Sequence, residues 1–126
     1  MEHKIHLVKL AKIVRSHLEN ILIDNYNYNN NLNGACGIAS YYLMMVAKKQ
    51  DIYVTLCYGY FDNYFSHWWI TYCENTYDLT ATQFDVKDKV YITDGKRYTI
   101  KEMWRKPKEA FKAINKWCHY PDELIT

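Results

Sequence analysis

The apolar pattern of this 126-residue chain changes period at Asp51, and that switch limits the possible folds more than any other feature. Before it, Ile5, Val8, Ala11, Val14, Leu18, Ile21 and Leu22 recur at spacings of three and four, which predicts an amphipathic helix over 4–24. The run DNYNYNNNLNG breaks that helix, because Asn, Asp and Gly favour turns and left-handed backbone. A second helix is expected over 36–49, apolar on nearly every side and therefore central and buried. Beyond Asp51 the residues turn β-branched and aromatic. IYVTLCYGYF, HWWITYC and TYDLTATQF read as strands, the last two joined by a turn at Glu74-Asn75 or slightly earlier. KVYITDGKRYTI reads as a hairpin turning at Asp94-Gly95, and a final helix is expected over 101–117 with Pro107 in its first turn. Helices, then an antiparallel sheet, then a helix define an α+β class. The length fits one domain over 1–126, with N-terminal helices packed on the sheet.

Composition narrows the functions. Hydrophobic residues make up 49% and charged residues 24%, the balance of a globular chain. Net charge is only +2, and the basic residues of the N-terminal segment and of 96–116 are interspersed with acids, so no nucleic acid partner is expected. No run approaches the roughly 20 apolar residues of a membrane span, and charges run through the N-terminal segment, so neither a membrane partner nor a signal peptide is expected. Cys36, Cys57, Cys73 and Cys118 form no C-x-x-C pair, which points to free thiols and a cytoplasmic setting. Cys36, His67, Cys73, Cys118 and His119 lack the close pairing of zinc ligands, so no metal and no cofactor is expected. The sequence leaves the oligomeric state open.

Cys36 stands where the Asn-rich loop meets the second helix. The unsatisfied N–H groups and dipole of a helix start favour a negative sulfur. Gly34 and Gly37 keep the backbone around the thiol uncluttered, and the Cys36 N–H could itself donate to an oxyanion. His67, alone among five histidines, opens a strand in an aromatic context, and strand alternation puts His67, Trp69, Thr71 and Cys73 on one face. Asp78 lies inside an apolar strand, where an unpaired carboxylate is costly, and a neighbouring histidine would satisfy it. A turn centred on Tyr72-Cys73 places His67 opposite Asp78. A turn at Glu74-Asn75 instead sets Asp78 against Thr71 and Thr82 against His67. Turn chemistry favours the second register; the His–Asp pairing favours the first or a bulged variant of it.

A Cys opening a buried helix, an H-x-W strand and a D-L-T strand, here Cys36, His67 with Trp69, and Asp78 with Leu79-Thr80, resemble the transglutaminase-like branch of the papain-like cysteine enzymes over roughly residues 30 to 85. The resemblance implies a papain-like core in which Cys36 is nucleophile, His67 general base and Asp78 orienting acid. It implies amide chemistry through an acyl-enzyme on a protein, peptide or small amide: peptide or isopeptide hydrolysis, deamidation, or acyl transfer to an amine. Papain-like proteases often place a Gln ahead of the Cys as oxyanion donor. Asn30, Asn33 or Gln83 is expected to take that part here, with Trp69 on the substrate side. The alternative is a non-catalytic protein- or peptide-binding module on the same frame, with tyrosines and tryptophans as its recognition surface. Residues 86–126 match no motif of that family.

Overall fold

The structure, a computed structural model, describes residues 2–117. Cys118 and His119 lie outside the described residues. Helix α1 (Glu2–Leu18) runs on through a π turn over Glu19–Ile23 and a last α turn over Asp24–Tyr26. Its buried line is Leu7, Leu10, Ala11, Val14, Leu18 and Leu22, whereas Ile5, expected inside, is 61% exposed. Successive steps of three drift round the helix, so Ile5 lies on the side opposite Val14, and Leu7 and Leu10 take the core positions of the first turns. Helix α2 (Cys36–Lys49) spans the expected residues and buries Ile38, Ala39, Leu43, Met44 and Ala47.

Strands β1 (Thr55–Phe61), β2 (Phe65–Tyr72), β3 (Asn75–Asp78), β4 (Tyr91–Thr93) and β5 (Tyr98–Trp104) form one antiparallel sheet in the order β4-β3-β2-β1-β5. Helix α3 (Pro107–Trp117) starts at the proline, six residues later than expected, because β5 extends to Trp104. The α+β class therefore holds. The β2–β3 turn falls slightly earlier than Glu74-Asn75, between the two registers considered. Cys73 and Glu74 occupy it with φ of 48° and 68°, the pattern of a type I′ turn, and Thr71 faces Thr76. TYDLTATQF is strand only to Asp78, and a 3₁₀ turn follows at Ala81–Gln83.

The expected hairpin at Asp94-Gly95 is the larger correction. β4 pairs with β3 and β5 pairs with β1, so the two segments occupy opposite edges of the sheet. Five flat strands would separate those edges by about 19 Å. The link from Thr93 to Tyr98 could span about 18 Å only if fully extended, and it is a compact turn in which the Tyr98 N–H donates to the Gly95 carbonyl at 3.0 Å. The sheet must therefore curl, bringing its edges together at this end like an open barrel. Gly59 makes the tight wall possible: the β1–β5 register shifts between Tyr58 and Gly59, and a Cβ there would overlap the Thr99 carbonyl oxygen.

The curl creates two cores. Leu56, Trp68, Ile70 and Tyr77 join α1 and α2 in the main core on the outer face of the sheet. Cys57, Phe61, Trp69 and Tyr98 form a smaller core inside the curl. β2 is thus buried on both faces from His67 to Ile70, which explains the unbroken apolar run Trp68-Trp69-Ile70. Among the described residues no helix is long and apolar enough to cross a membrane.

Candidate active site

Cys36 is delivered by a loop with its own hydrogen bonds. The Leu32 N–H donates to the Asn29 carbonyl at 2.9 Å, and the Ala35 N–H donates to the Leu32 carbonyl at 3.0 Å. Leu32 is fully buried with φ of 56°, and Gly34 follows at φ of 89°, a conformation that glycine adopts without strain. Ala35 is the N-cap and offers no side-chain acceptor to the first turn of α2. Cys36 is the first helical residue, and its thiol is half-buried and free.

His67 and Asp78 meet in the curl. Continuing the observed β2–β3 ladder sets Asp78 across from Trp69, which makes it the diagonal neighbour of His67 on the same face. That intermediate register serves the pair well: His67 Nε2 lies 2.7 Å from Asp78 Oδ2, with both side chains buried. Asp78 is otherwise fully engaged. Tyr98 Oη donates to Oδ2 at 2.7 Å, while the Thr80 N–H and hydroxyl donate to Oδ1 at 2.9 and 3.5 Å. These contacts explain how a carboxylate survives in the sheet.

The electrostatics follow from that cage. Burial opposes a charged imidazole. The Asp78 carboxylate more than offsets it, and a hydrogen bond and charge interaction with the Cys36 side chain add to the effect, so the ring is pushed from 6.5 up to about 10. Burial would raise the Asp78 carboxyl, yet the His67 charge and hydrogen bond, the Thr80 N–H and the Tyr98 hydroxyl hold it below its ordinary value. With Nε2 engaged by Asp78, Nδ1 is the ring nitrogen left to face the thiol.

The expected oxyanion donors separate. Gln83 Nε2 stands 3.5 Å from His67 Nδ1 and is held by the Thr80 carbonyl at 3.0 Å. Gln83 and Asn33 line one open cleft of about 540 Å³. Asn30 is exposed, and its carbonyl accepts from Arg15 Nη2 at 3.1 Å. Trp69, expected on the substrate side, is instead fully buried behind the site, its ring stacked 6.1 Å from that of His67. Alternation along β2 put Trp69 on the correct face, but the curl makes that face an interior.

Sequence reasoning missed two supporting residues. Tyr98 reaches Asp78 only because β5 closes the curl, so no local pattern could have shown it. Arg15 is buried on α1 and forks to the Leu79 carbonyl at 2.6 Å, the Thr82 hydroxyl at 2.9 Å and the Asn30 carbonyl, with Glu19 at 2.9 Å on its Nε. It ties the loop that leads to Cys36 to the segment between Asp78 and Gln83. Its signal was an arginine next to Val14 on the apolar side of a helix. Among the described residues, no group of three or more His, Cys, Asp or Glu side chains is arranged to hold a metal. Compared with protein-family models, curated proteins and solved structures, the chain matches none.

Proposed function

We propose that this chain is a thiol-dependent amide enzyme with a papain-like core of the transglutaminase-like kind. The observation that carries the reading is the buried relay from Asp78 through His67 to the half-exposed Cys36 at the start of α2. In the reacting form a Cys36 thiolate stands beside a His67 imidazolium. The sulfur attacks an amide carbonyl carbon, and the C=O π electrons move to oxygen. In this reading the Cys36 N–H and the Gln83 amide, which stands 3.5 Å from His67 Nδ1, donate to that oxyanion. Collapse of the intermediate breaks the C–N bond as the Nδ1 proton passes to the leaving nitrogen, which gives an acyl-enzyme and a neutral imidazole. That imidazole then takes a proton from water or an amine attacking the thioester. Asp78 holds the ring and stabilises its charged form throughout. Water as acceptor gives hydrolysis or deamidation, and an amine gives acyl transfer.

The test is a mixed peptide pool incubated with the protein and a primary amine, with products read by mass spectrometry. Cleaved, deamidated or amine-linked peptides that vanish with Cys36→Ala are the expected result. Identical profiles for the wild type and Cys36→Ala contradict the reading.

A further inference from the structure

A ladder of rings leads from the buried imidazole out to solvent. Phe84, next in the chain after Gln83, sits 4.9 Å from the His67 ring; Phe65 lies 5.0 Å from Phe84, and Tyr64 lies 4.9 Å from Phe65. Exposure rises along it: Phe84 is half-buried, Phe65 is 45% exposed and Tyr64 is 78% exposed. Phe65 and Phe84 line the same cleft as Asn33 and Gln83. Large apolar rings left in water beside reacting groups mark a contact surface.

The shelf is also held in place. Asp62 and Asn63 turn the β1–β2 connection with φ of 55° and 56°. Thr99 Oγ1 donates to Asn63 Oδ1 at 2.9 Å, and Arg97 forks to Asp62 at 2.8 and 2.6 Å. The same guanidinium bonds Asp85 at 2.9 Å and lies 4.4 Å from the centroid of the Phe61 ring. The cleft rim thus sets two carboxylates against one guanidinium, which disfavours an acidic occupant. A fixed aromatic surface loses little freedom when a ligand seats on it.

We propose that Tyr64, Phe65 and Phe84 form a subsite for an aromatic or large aliphatic side chain adjoining the scissile amide of a peptide substrate. The proposal rests on the thiol-enzyme reading and names its substrate class. Gln83 and Phe84 share this cleft and both reach the His67 ring, Gln83 Nε2 at 3.5 Å from Nδ1 and the Phe84 ring at 4.9 Å, so a side chain seated on Phe65 and Phe84 lies next to the His67 end of the relay.

Three peptidyl chloromethyl ketones, identical except for Phe, Gly or Asp beside the reactive group, test it. The Cys36 thiolate forms an S–C bond as the C–Cl bond breaks and chloride leaves with the electron pair; peptide mapping reads the labelling rate at Cys36. The expected order is Phe fastest, by about tenfold over Gly, with Asp slowest. The Phe-to-Gly ratio should fall towards one in Tyr64→Ala and Phe65→Ala, both exposed positions whose truncation spares the core. Labelling of Cys36 at equal rates, or a Phe advantage that survives both variants, overturns the subsite alone. If no probe labels Cys36, the thiol-enzyme reading fails and takes the subsite with it.

Discussion

Gln83 is anchored to Thr80 on one side and stands beside His67 on the other. Its amide caps the Thr80 carbonyl, which fixes the rotamer, and the same nitrogen stands at the edge of the His67–Cys36 contact. If it stabilises the oxyanion, Gln83→Ala should lower kcat by about 10²–10³ with little change in KM. Steady-state kinetics on a peptide found with the mixed pool would check this, and a drop confined to KM would assign Gln83 to substrate binding instead. At this scale the sequence was informative about identity and silent about partners. Cys36, His67 and Asp78 stood out because each sat in an environment that needed a reason: a helix start, an aromatic strand, an apolar strand. Tyr98 stood in no such environment, since its reason lies twenty residues away on Asp78.

At the scale of elements, boundaries followed from local chemistry and pairings did not. α2 begins at Cys36 as the loop composition implied. The Asp94-Gly95 signal marked a reversal whose turn is centred just after it, on Lys96-Arg97, but β1 and β3 each offered a free edge, and the flanking strands paired with those rather than with each other. The β2–β3 register shows the same limit: Cys73 and Glu74 adopt left-handed backbone with no glycine present, so turn propensity pointed one residue further on. Arg15 joins three elements at once. Arg15→Met should leave the buried Leu79 carbonyl without its donor and cost about 1–3 kcal/mol, measured as a lower urea midpoint with an unchanged m-value. An unchanged midpoint would mean that α1 and the Leu79–Thr82 segment are held by packing alone.

For the molecule as a whole, the curl brings an ion pair into an aromatic interior and so links stability to pH. The His67 ring is raised from 6.5 to about 10 in the folded state, so the pair's contribution is complete below about pH 6.5, the unfolded value. The folded chain holds this proton where the unfolded chain releases it, and the contribution is lost as pH climbs towards 10. Asp78 is held below its ordinary value, so at the acid end its contribution is present above about pH 3.9 and is lost as pH falls through the folded-state value. Urea unfolding between pH 7 and 10 should therefore show a falling midpoint in the wild type and a flatter profile in Asp78→Asn, whose histidine lacks the carboxylate. Parallel profiles would show that the pair does not carry the dependence. Nothing in the linear order of residues announced this curl, which follows only from joining opposite sheet edges by a four-residue link.

The central claim, that His67 activates Cys36, is tested most directly by alkylation with iodoacetamide at pH 6, resolved residue by residue by peptide mapping. Cys73 is the internal reference because it is free and more exposed than Cys36. Cys36 should react faster than Cys73 despite its lower exposure, and His67→Ala should remove the advantage. A Cys36 no faster than Cys73, and indifferent to His67→Ala, would contradict it.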